Sequence, residues 1–126
     1  MLHFRGTLPA ALLVLTVAAH GSLAMAQAPA KMTDGVLTNT AGMTLYTFDK
    51  DAGDKSTCNG PCAAIWPPLM AGADAKASGE WSIVTRDDGA KQWAYRGKPV
   101  YLWAKDQKPG DRTGDGFNSV WHVAKP

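Results

Sequence analysis

Residues 42–51 read GMTLYTFDKD, and residues 97–106 read GKPVYLWAKD. Each segment has a Tyr-x-aromatic-x-x-Asp motif after a turn glycine, formed by Tyr46, Phe48 and Asp51 in the first and by Tyr101, Trp103 and Asp106 in the second. A shift of 55 residues superimposes the two segments and also places Trp66 on Trp121. Agreement at several positions, most of them aromatic, at a single offset predicts a duplicated unit.

The pattern of each copy favours β-structure. Around Tyr46 and Tyr101 the side chains alternate with the period of two that is typical of a strand. The turn sequence Asp87-Asp88-Gly89 predicts a hairpin, because glycine tolerates the positive φ that such a turn needs. We therefore expect a hairpin over residues 35–48, a three-stranded meander over 81–104 and a last strand over 119–124. Residues 61–66 predict one short helical turn, which Pro67 and Pro68 end.

The N-terminus has the zones of a secretory signal. A basic residue, Arg5, precedes an apolar run from Leu8 to about Ala19, and small residues follow up to Ala26. We expect cleavage after Ala26, because a run of ~12 residues is too short to span a bilayer. No cysteine lies near this site to carry a lipid anchor, so we expect a soluble periplasmic or secreted product.

The expected domain organisation follows from these features. Residues 1–26 are the signal peptide, residues 27–34 a flexible leader, and residues 35–126 one small, mainly β domain. Within that domain we expect two antiparallel β units, over residues 35–69 and 80–126, joined by an exposed connector over residues 70–79.

The charge of the chain argues against nucleic acid as a partner. Without Arg5, twelve Lys and Arg residues face eleven Asp and Glu residues, and no basic block is visible. Proteins that bind nucleic acid obtain much of their affinity by neutralising phosphates. Nothing after Gln27 resembles an apolar membrane-spanning segment.

Cys58 and Cys62 are the only cysteines. In an exported protein they favour a structural disulfide, which would contribute roughly 2 kcal/mol by the chain-entropy relation for so short a loop. The alternatives are a redox-active dithiol and a site for a soft metal such as Cu(I). Copper would need further ligands, for which the candidates are His122, Met32, Met43 and Met70.

Two further sets of residues allow more than one interpretation. Closely spaced aspartates in glycine-containing loops suit calcium, but Asp and Gly are also common turn residues; the candidates are Asp49, Asp51, Asp54, Asp111 and Asp115. The five tryptophans and three tyrosines suit stacking on sugars, but they would also let a small β domain build a core.

No catalytic constellation is visible in the sequence. The segment after residue 26 contains one histidine, His122, and one glutamate, Glu80, and it has no nucleophile motif such as G-x-S-x-G. We therefore expect a protein without enzymatic activity and without a required cofactor, with copper and calcium as the alternatives.

The motifs together resemble the bacterial "secreted repeat of unknown function" family, which are predicted lipoproteins with a conserved Yx(FWY)xxD motif. The resemblance rests on the two motif segments, on STCNGPCAAIWPPL, on the segment from residue 85 to 116 and on VWHVA, and it covers residues 35 to about 126. It implies export and a domain of two units, and it implies no specific activity. The sequence thus favours a binding or envelope-associated module, whose partner would be an envelope protein, a glycan or a metal.

Overall fold

The structure is a computed structural model and describes residues 29–126. The expected signal peptide and its cleavage site after Ala26 lie outside the described residues. Within residues 29–126 the fold consists of seven short strands, one α-helix and one 3₁₀ turn: β1 Ala30–Thr33, β2 Val36–Asn39, β3 Tyr46–Phe48, α1 Pro61–Ile65, β4 Trp81–Thr85, β5 Lys91–Tyr95, β6 Lys98–Pro99, the 3₁₀ turn Phe117–Ser119 and β7 Trp121–Val123. The fold is mainly β, as the sequence predicted, and α1 lies within the predicted helical turn.

Two Xaa-Gly turns build hairpins of the same type. Asp34 and Gly35 connect β1 to β2, and Arg96 and Gly97 connect β5 to β6; all four residues have positive φ. Positive φ at both central residues defines the tight turn that matches the right-handed twist of paired strands. The flexible leader expected over residues 27–34 is therefore wrong for residues 30–33, which form β1 and pair with β2.

The closing segment of each unit pairs with the other unit. Strand β3 pairs with β7 from the C-terminus, and at the equivalent place the Leu102 N–H donates to the Pro67 carbonyl (2.7 Å). The bond from Ala124 N–H to the Leu45 carbonyl (2.8 Å) likewise has its counterpart in the bond from Leu69 N–H to the Val100 carbonyl (3.0 Å). The hairpin expected over 35–48 is thus incomplete, because β3 finds its partner more than seventy residues away.

The two units meet at their motif tyrosines. The Tyr46 N–H donates to the Tyr101 carbonyl (2.8 Å), and the Tyr101 N–H donates to the Tyr46 carbonyl (2.9 Å). This reciprocal pair relates the units by an approximate two-fold axis. The meander predicted over residues 81–104 is shorter in the structure, because the chain leaves the β4–β5–β6 sheet after Pro99 and crosses to the first unit.

The core consists of two clusters. One is aromatic and surrounds the two motif tyrosines, with Cys58 buried in it; the other is mainly aliphatic and lies between the hairpins. Most of the aromatic side chains therefore belong to the core or pack against it. Each large ring removes 150 to 250 Å² from water, which stabilises a domain too small for a large aliphatic interior.

Candidate functional site

The Tyr and Asp residues of the repeated motif form hydrogen bonds across the two units, which we call the crossed Tyr–Asp pairs. The Tyr46 hydroxyl donates to Asp106 Oδ2 (2.7 Å), and the Tyr101 hydroxyl donates to Asp51 Oδ2 (2.6 Å). The tyrosine of each motif thus bonds to the aspartate of the other. The spacing of the motif is explained by a contact that neither copy can make alone.

Each motif aspartate also fixes the loop that follows it. Asp51 Oδ1 accepts bonds from the Thr57 N–H (2.7 Å) and hydroxyl (2.9 Å), and Asp106 Oδ1 accepts bonds from the Thr113 N–H (3.0 Å) and hydroxyl (2.6 Å). All oxygens of these two carboxylates are therefore occupied by protein donors. This arrangement suits a structural role better than metal coordination.

The surroundings of the motif tyrosines keep their hydroxyls protonated. Burial, and secondly the hydrogen bond to a carboxylate, raise the pKa of Tyr46 and of Tyr101 well above the ordinary value for tyrosine. Neither hydroxyl can act as a base near neutral pH. Both act as permanent donors that satisfy the motif carboxylates.

The second aromatic residue of each motif and the tryptophan that closes each unit form one continuous stack, which we call the aromatic stack. Its four rings follow the order Trp103, Trp66, Trp121, Phe48, with centroid separations of 3.9, 3.8 and 4.1 Å. Here again the units cross, because Trp103 of the second unit stacks on Trp66 of the first, and Phe48 of the first stacks on Trp121 of the second. The three tryptophans are buried, so they are not a free platform for a sugar ring.

Cys58 and Cys62 form a disulfide. Cys58 is fully buried, whereas Cys62, in α1, is partly exposed. The sulfurs are bonded to each other, so no thiolate is available to a soft metal in this state. The pair lies beside the aromatic stack and closes the loop that leads into Trp66.

The other metal candidates are dispersed. His122 Nε2 lies 2.8 Å from Asp49 Oδ2, while Met32 and Met70 are exposed elsewhere. Within residues 29–126 no three His, Cys, Asp or Glu side chains are grouped as metal ligands would be. Of the remaining calcium candidates, Asp111 accepts bonds from two backbone N–H groups and Asp115 from one.

A polar groove lies beside the edge of the β3–β7 sheet. Its volume is about 330 Å³, at the lower end of the range for ligand pockets. Thr47 and His122 face each other across the strand pair on its floor. The turn between β5 and β6 and the chain after β7 form its walls, and the other lining residues are Asp49, Tyr95, Arg96, Lys98, Val123, Ala124 and Lys125.

The walls of the groove are basic. Arg96 pairs with Glu80 through its Nε (3.0 Å), and this carboxylate raises the pKa of the guanidinium. Among the residues described, Lys98 and Lys125 have no carboxylate within 4.0 Å. The guanidinium also lies against the ring of Tyr95, 5.3 Å from its centroid. The groove thus combines two unpaired lysines, an arginine and one aromatic face.

A family model described as a secreted repeat of unknown function matches residues 29–70 and 82–125. The chain belongs to this family. Comparisons with curated proteins and with solved structures found no match. The first matched repeat begins at residue 29, in agreement with the strand found at residues 30–33. No helix among residues 29–126 is long and apolar enough to cross a membrane.

At the offset of 55 the two repeats share no residue over the loop after each motif, residues 52–64 against 107–119, and they also differ in polarity at the groove. Both repeats supply polar residues to the groove, and each of these corresponds to an apolar residue in the other repeat: Thr47 to Leu102 and Asp49 to Ala104 from the first, His122 to Pro67 and Lys125 to Met70 from the second. Corresponding backbone bonds show that these positions are equivalent, since the Asp49 N–H donates to Val120 O (2.8 Å) and the Ala104 N–H donates to Ile65 O (2.9 Å). One scaffold therefore carries a polar face and an apolar face.

Only part of this site could be predicted from the sequence. His122 and Asp49 were expected as metal candidates, whereas Thr47, Lys98 and Lys125 were not expected to have a role. The signal was present in the repeat alignment, which was used for matching positions and not for positions that change from apolar to polar. Arg96 gives the same signal, because it corresponds to Ala41 at this offset, as Lys98 corresponds to Met43.

Proposed function

We propose that this protein is an exported, non-enzymatic binding module that takes an anionic glycan into the polar groove, in the periplasm or outside the cell. The observation that carries the proposal is the contrast between the two faces of the repeated scaffold. The repeats agree at the motif residues and at Trp66 and Trp121, whereas the groove is lined by polar and charged side chains from both repeats, at positions whose counterparts in the other repeat are apolar.

The charge and the aromatic ring of the groove support this class of ligand. Lys98, Lys125 and Arg96 would attract carboxylate or phosphate groups, and an arginine can bind such groups through two parallel hydrogen bonds. The ring of Tyr95, which contacts Trp81 and carries the Arg96 guanidinium over it, would add apolar contact to a sugar at its remaining surface. The exposed setting of the lysines makes the expected affinity modest and dependent on salt.

The contacts of His122 support binding in preference to catalysis. In the described part of the chain the side chain hydrogen-bonded to its ring is that of Asp49, and no nucleophile is bonded to it. Thr47 lies opposite His122 in the strand register, but its hydroxyl makes no hydrogen bond to the imidazole there. A nucleophile is activated by a base within hydrogen-bond reach, and this arrangement lacks that step.

Titration calorimetry with an oligogalacturonate tests the proposal. We expect binding at low ionic strength that weakens as salt is raised, and little binding of a neutral maltohexaose of the same length. The double variant Lys98→Glu/Lys125→Glu should weaken binding at least tenfold, because it reverses two charges of the groove.

The matched control is Lys76→Glu/Lys105→Glu, which changes the net charge equally at two exposed lysines away from the groove. We expect it to alter affinity less than threefold. Equal losses in the two double variants would show that net charge, and not the groove, governs binding. Equal binding of the neutral glycan would also contradict the proposal.

A further inference from the structure

Arg86 is buried without an acidic partner in contact. It is 5% exposed, and among the described residues no carboxylate oxygen lies within hydrogen-bond or ion-pair distance of its guanidinium. Burying a cation in this way is unfavourable unless nearby groups compensate for the lost hydration. The contacts of the Arg86 guanidinium indicate why the side chain is buried at this position.

The guanidinium is directed at the disulfide loop. One of its terminal nitrogens, Nη2, donates to the carbonyl of Cys58 (2.7 Å) and to Asn59 Oδ1 (3.2 Å). The other, Nη1, donates to Ser56 Oγ (2.9 Å) and to Gln92 Oε1 (2.8 Å). All four acceptors are neutral. The positive charge is therefore held against the backbone of the buried cysteine.

The two sulfurs differ in access. Cys58 is 0% exposed, whereas the Cys62 residue is partly exposed at the surface of α1. Because Cys62 is partly exposed and Cys58 is not, we expect a thiolate from solution to reach Cys62 more readily than Cys58. In an exchange reaction the sulfur that is not attacked leaves as a thiolate, and a thiolate is stabilised by a nearby cation.

We propose that the Cys58–Cys62 disulfide is a redox site that exchanges with an exogenous dithiol, with Cys62 as the attacked sulfur and Arg86 as the electrostatic partner of the departing Cys58 thiolate. The proposal goes beyond glycan binding and does not depend on it. It gives the buried cation a role that a purely structural disulfide would not require.

The exchange takes place in two steps. One thiolate of the dithiol attacks Cys62 Sγ, a mixed disulfide forms, and the Cys58–Cys62 bond breaks with its electron pair going to Cys58. The second thiol of the dithiol then loses its proton and attacks the first sulfur of the same dithiol, which is bonded to Cys62 in the mixed disulfide. This attack releases Cys62 as a thiolate. Two electrons pass from the dithiol to the protein; the dithiol becomes a disulfide, and its two protons go to solvent or to the new thiolates.

The aromatic stack would report the exchange. The carbonyl of Cys62 accepts a bond from the Trp66 N–H (2.8 Å), and Trp66 lies between two other tryptophans. Opening of the loop loosens the end of α1 that holds this ring. We expect a change in tryptophan fluorescence on reduction of the folded protein.

The first experiment uses the natural sequence. Oxidised folded protein is treated with glutathione, quenched with acid, and mapped by tandem mass spectrometry for the cysteine that carries the mixed disulfide. We expect the adduct on Cys62, and a reduction rate with dithiothreitol that rises in proportion to its concentration. An adduct mainly on Cys58, or a reduction rate that levels off at the rate of global unfolding, would overturn the proposal.

The second experiment tests Arg86. We expect Arg86→Gln, which keeps hydrogen-bonding capacity without the charge, to lower the equilibrium constant for reduction by dithiothreitol at least tenfold, about 30 mV for this two-electron couple. Arg86→Lys should lie within threefold of the natural protein, and so should Arg112→Gln at an exposed arginine. If the equilibrium constant for reduction of Arg86→Gln lies within twofold of the natural value, the charge of Arg86 does not stabilise the Cys58 thiolate. If Arg86→Gln does not fold, the mapping of the natural protein decides the proposal.

Discussion

The two repeats agree at the motif residues and at the closing tryptophan, and they differ in polarity at the groove. The agreeing positions form the crossed Tyr–Asp pairs and the aromatic stack, where each repeat supplies half of every contact. The disagreeing positions line the polar groove. The contrast shows that the repeated motif records the requirements of assembly, while the candidate function lies where one repeat departs from the other.

The largest effect should follow from separating the repeats. Division of the chain between Ala75 and Lys76 gives fragments that each lack the segment closing their own sheet. We expect neither fragment to fold alone, because β3 needs β7 and the Tyr101 segment needs Pro67. Circular dichroism should show two unfolded fragments that regain structure when mixed. A fragment with its own cooperative thermal transition would show that the repeats are independent.

Truncation of the central rings should come next in size. Trp66→Ala and Trp121→Ala each remove a buried ring from the aromatic stack, and we expect each to lower the free energy of unfolding by about 3–5 kcal/mol. The similar surroundings of the two rings predict similar losses. Trp81→Ala is the matched control, because this ring is only partly buried and lies outside the stack. A loss for Trp81→Ala equal to the other two would contradict the central role of the stack.

Double-mutant cycles can test whether the motif acts across the repeats. Tyr46→Phe and Asp106→Asn should each cost about 1–3 kcal/mol, because each leaves a buried polar group without its partner. We expect a coupling energy of about 0.5–3 kcal/mol between them in urea denaturation. Tyr46→Phe and Asp51→Asn, which belong to the same motif copy, should be additive to within about 0.5 kcal/mol. Coupling within one copy and not across copies would reverse our interpretation.

Ionisation of tyrosine offers a measurement on the same contacts. Burial and the carboxylate raise the pKa of Tyr46 and Tyr101 in the folded state, so the stabilisation is present below the ordinary tyrosine pKa of about 10 and is lost as pH rises through the folded values. We expect absorbance at 295 nm to show two tyrosines that ionise only with alkaline unfolding. Three tyrosines that ionise together in the folded protein would contradict this.

The smallest effect concerns a turn found only in the second repeat. The backbone N–H of Gln107, and then Lys108, lower the pKa of Asp111, so its stabilisation is present above the ordinary aspartate pKa of about 3.9 and is lost as pH falls through the folded value. Asp111→Asn should lower Tm slightly at pH 7, and the difference should shrink in acid. A difference that is unchanged at pH 2 would show that hydrogen bonding alone, without the charge, explains it.

Much of the local structure could be predicted from the sequence, because its signals are local. The Asp88-Gly89 turn, the helical turn before Pro67 and the duplicated motif all lie within a few residues of what they determine. Strand β1 was missed although Asp34-Gly35 is the same kind of turn signal, because the small polar residues before it favoured a flexible leader. The pairing of β3 with β7 could not be predicted, since alternation identifies a strand but not its partner.

The candidate site was less predictable for the same reason. Arg96 and Lys125 line the same groove only because two segments distant in the sequence meet in the folded chain. The environment of Arg86 is likewise assembled from residues 56–59 and Gln92, and nothing in the sequence around it distinguishes it from an exposed arginine of a hairpin turn.

Because the closing segments are exchanged, a single repeat needs a second repeat to complete its sheet and its aromatic stack. A single repeat would expose the edge of its sheet and half of its aromatic stack, and a second copy related by a two-fold axis would supply what is missing. The two-repeat chain is thus equivalent to a homodimer with a covalent tether. The tether is shorter than the exposed connector expected over residues 70–79, because Ala71 is buried and its N–H donates to the Lys91 carbonyl (2.9 Å). Its length sets the effective concentration of one half for the other. A shortened connector would prevent this intramolecular closure and favour two chains that exchange halves.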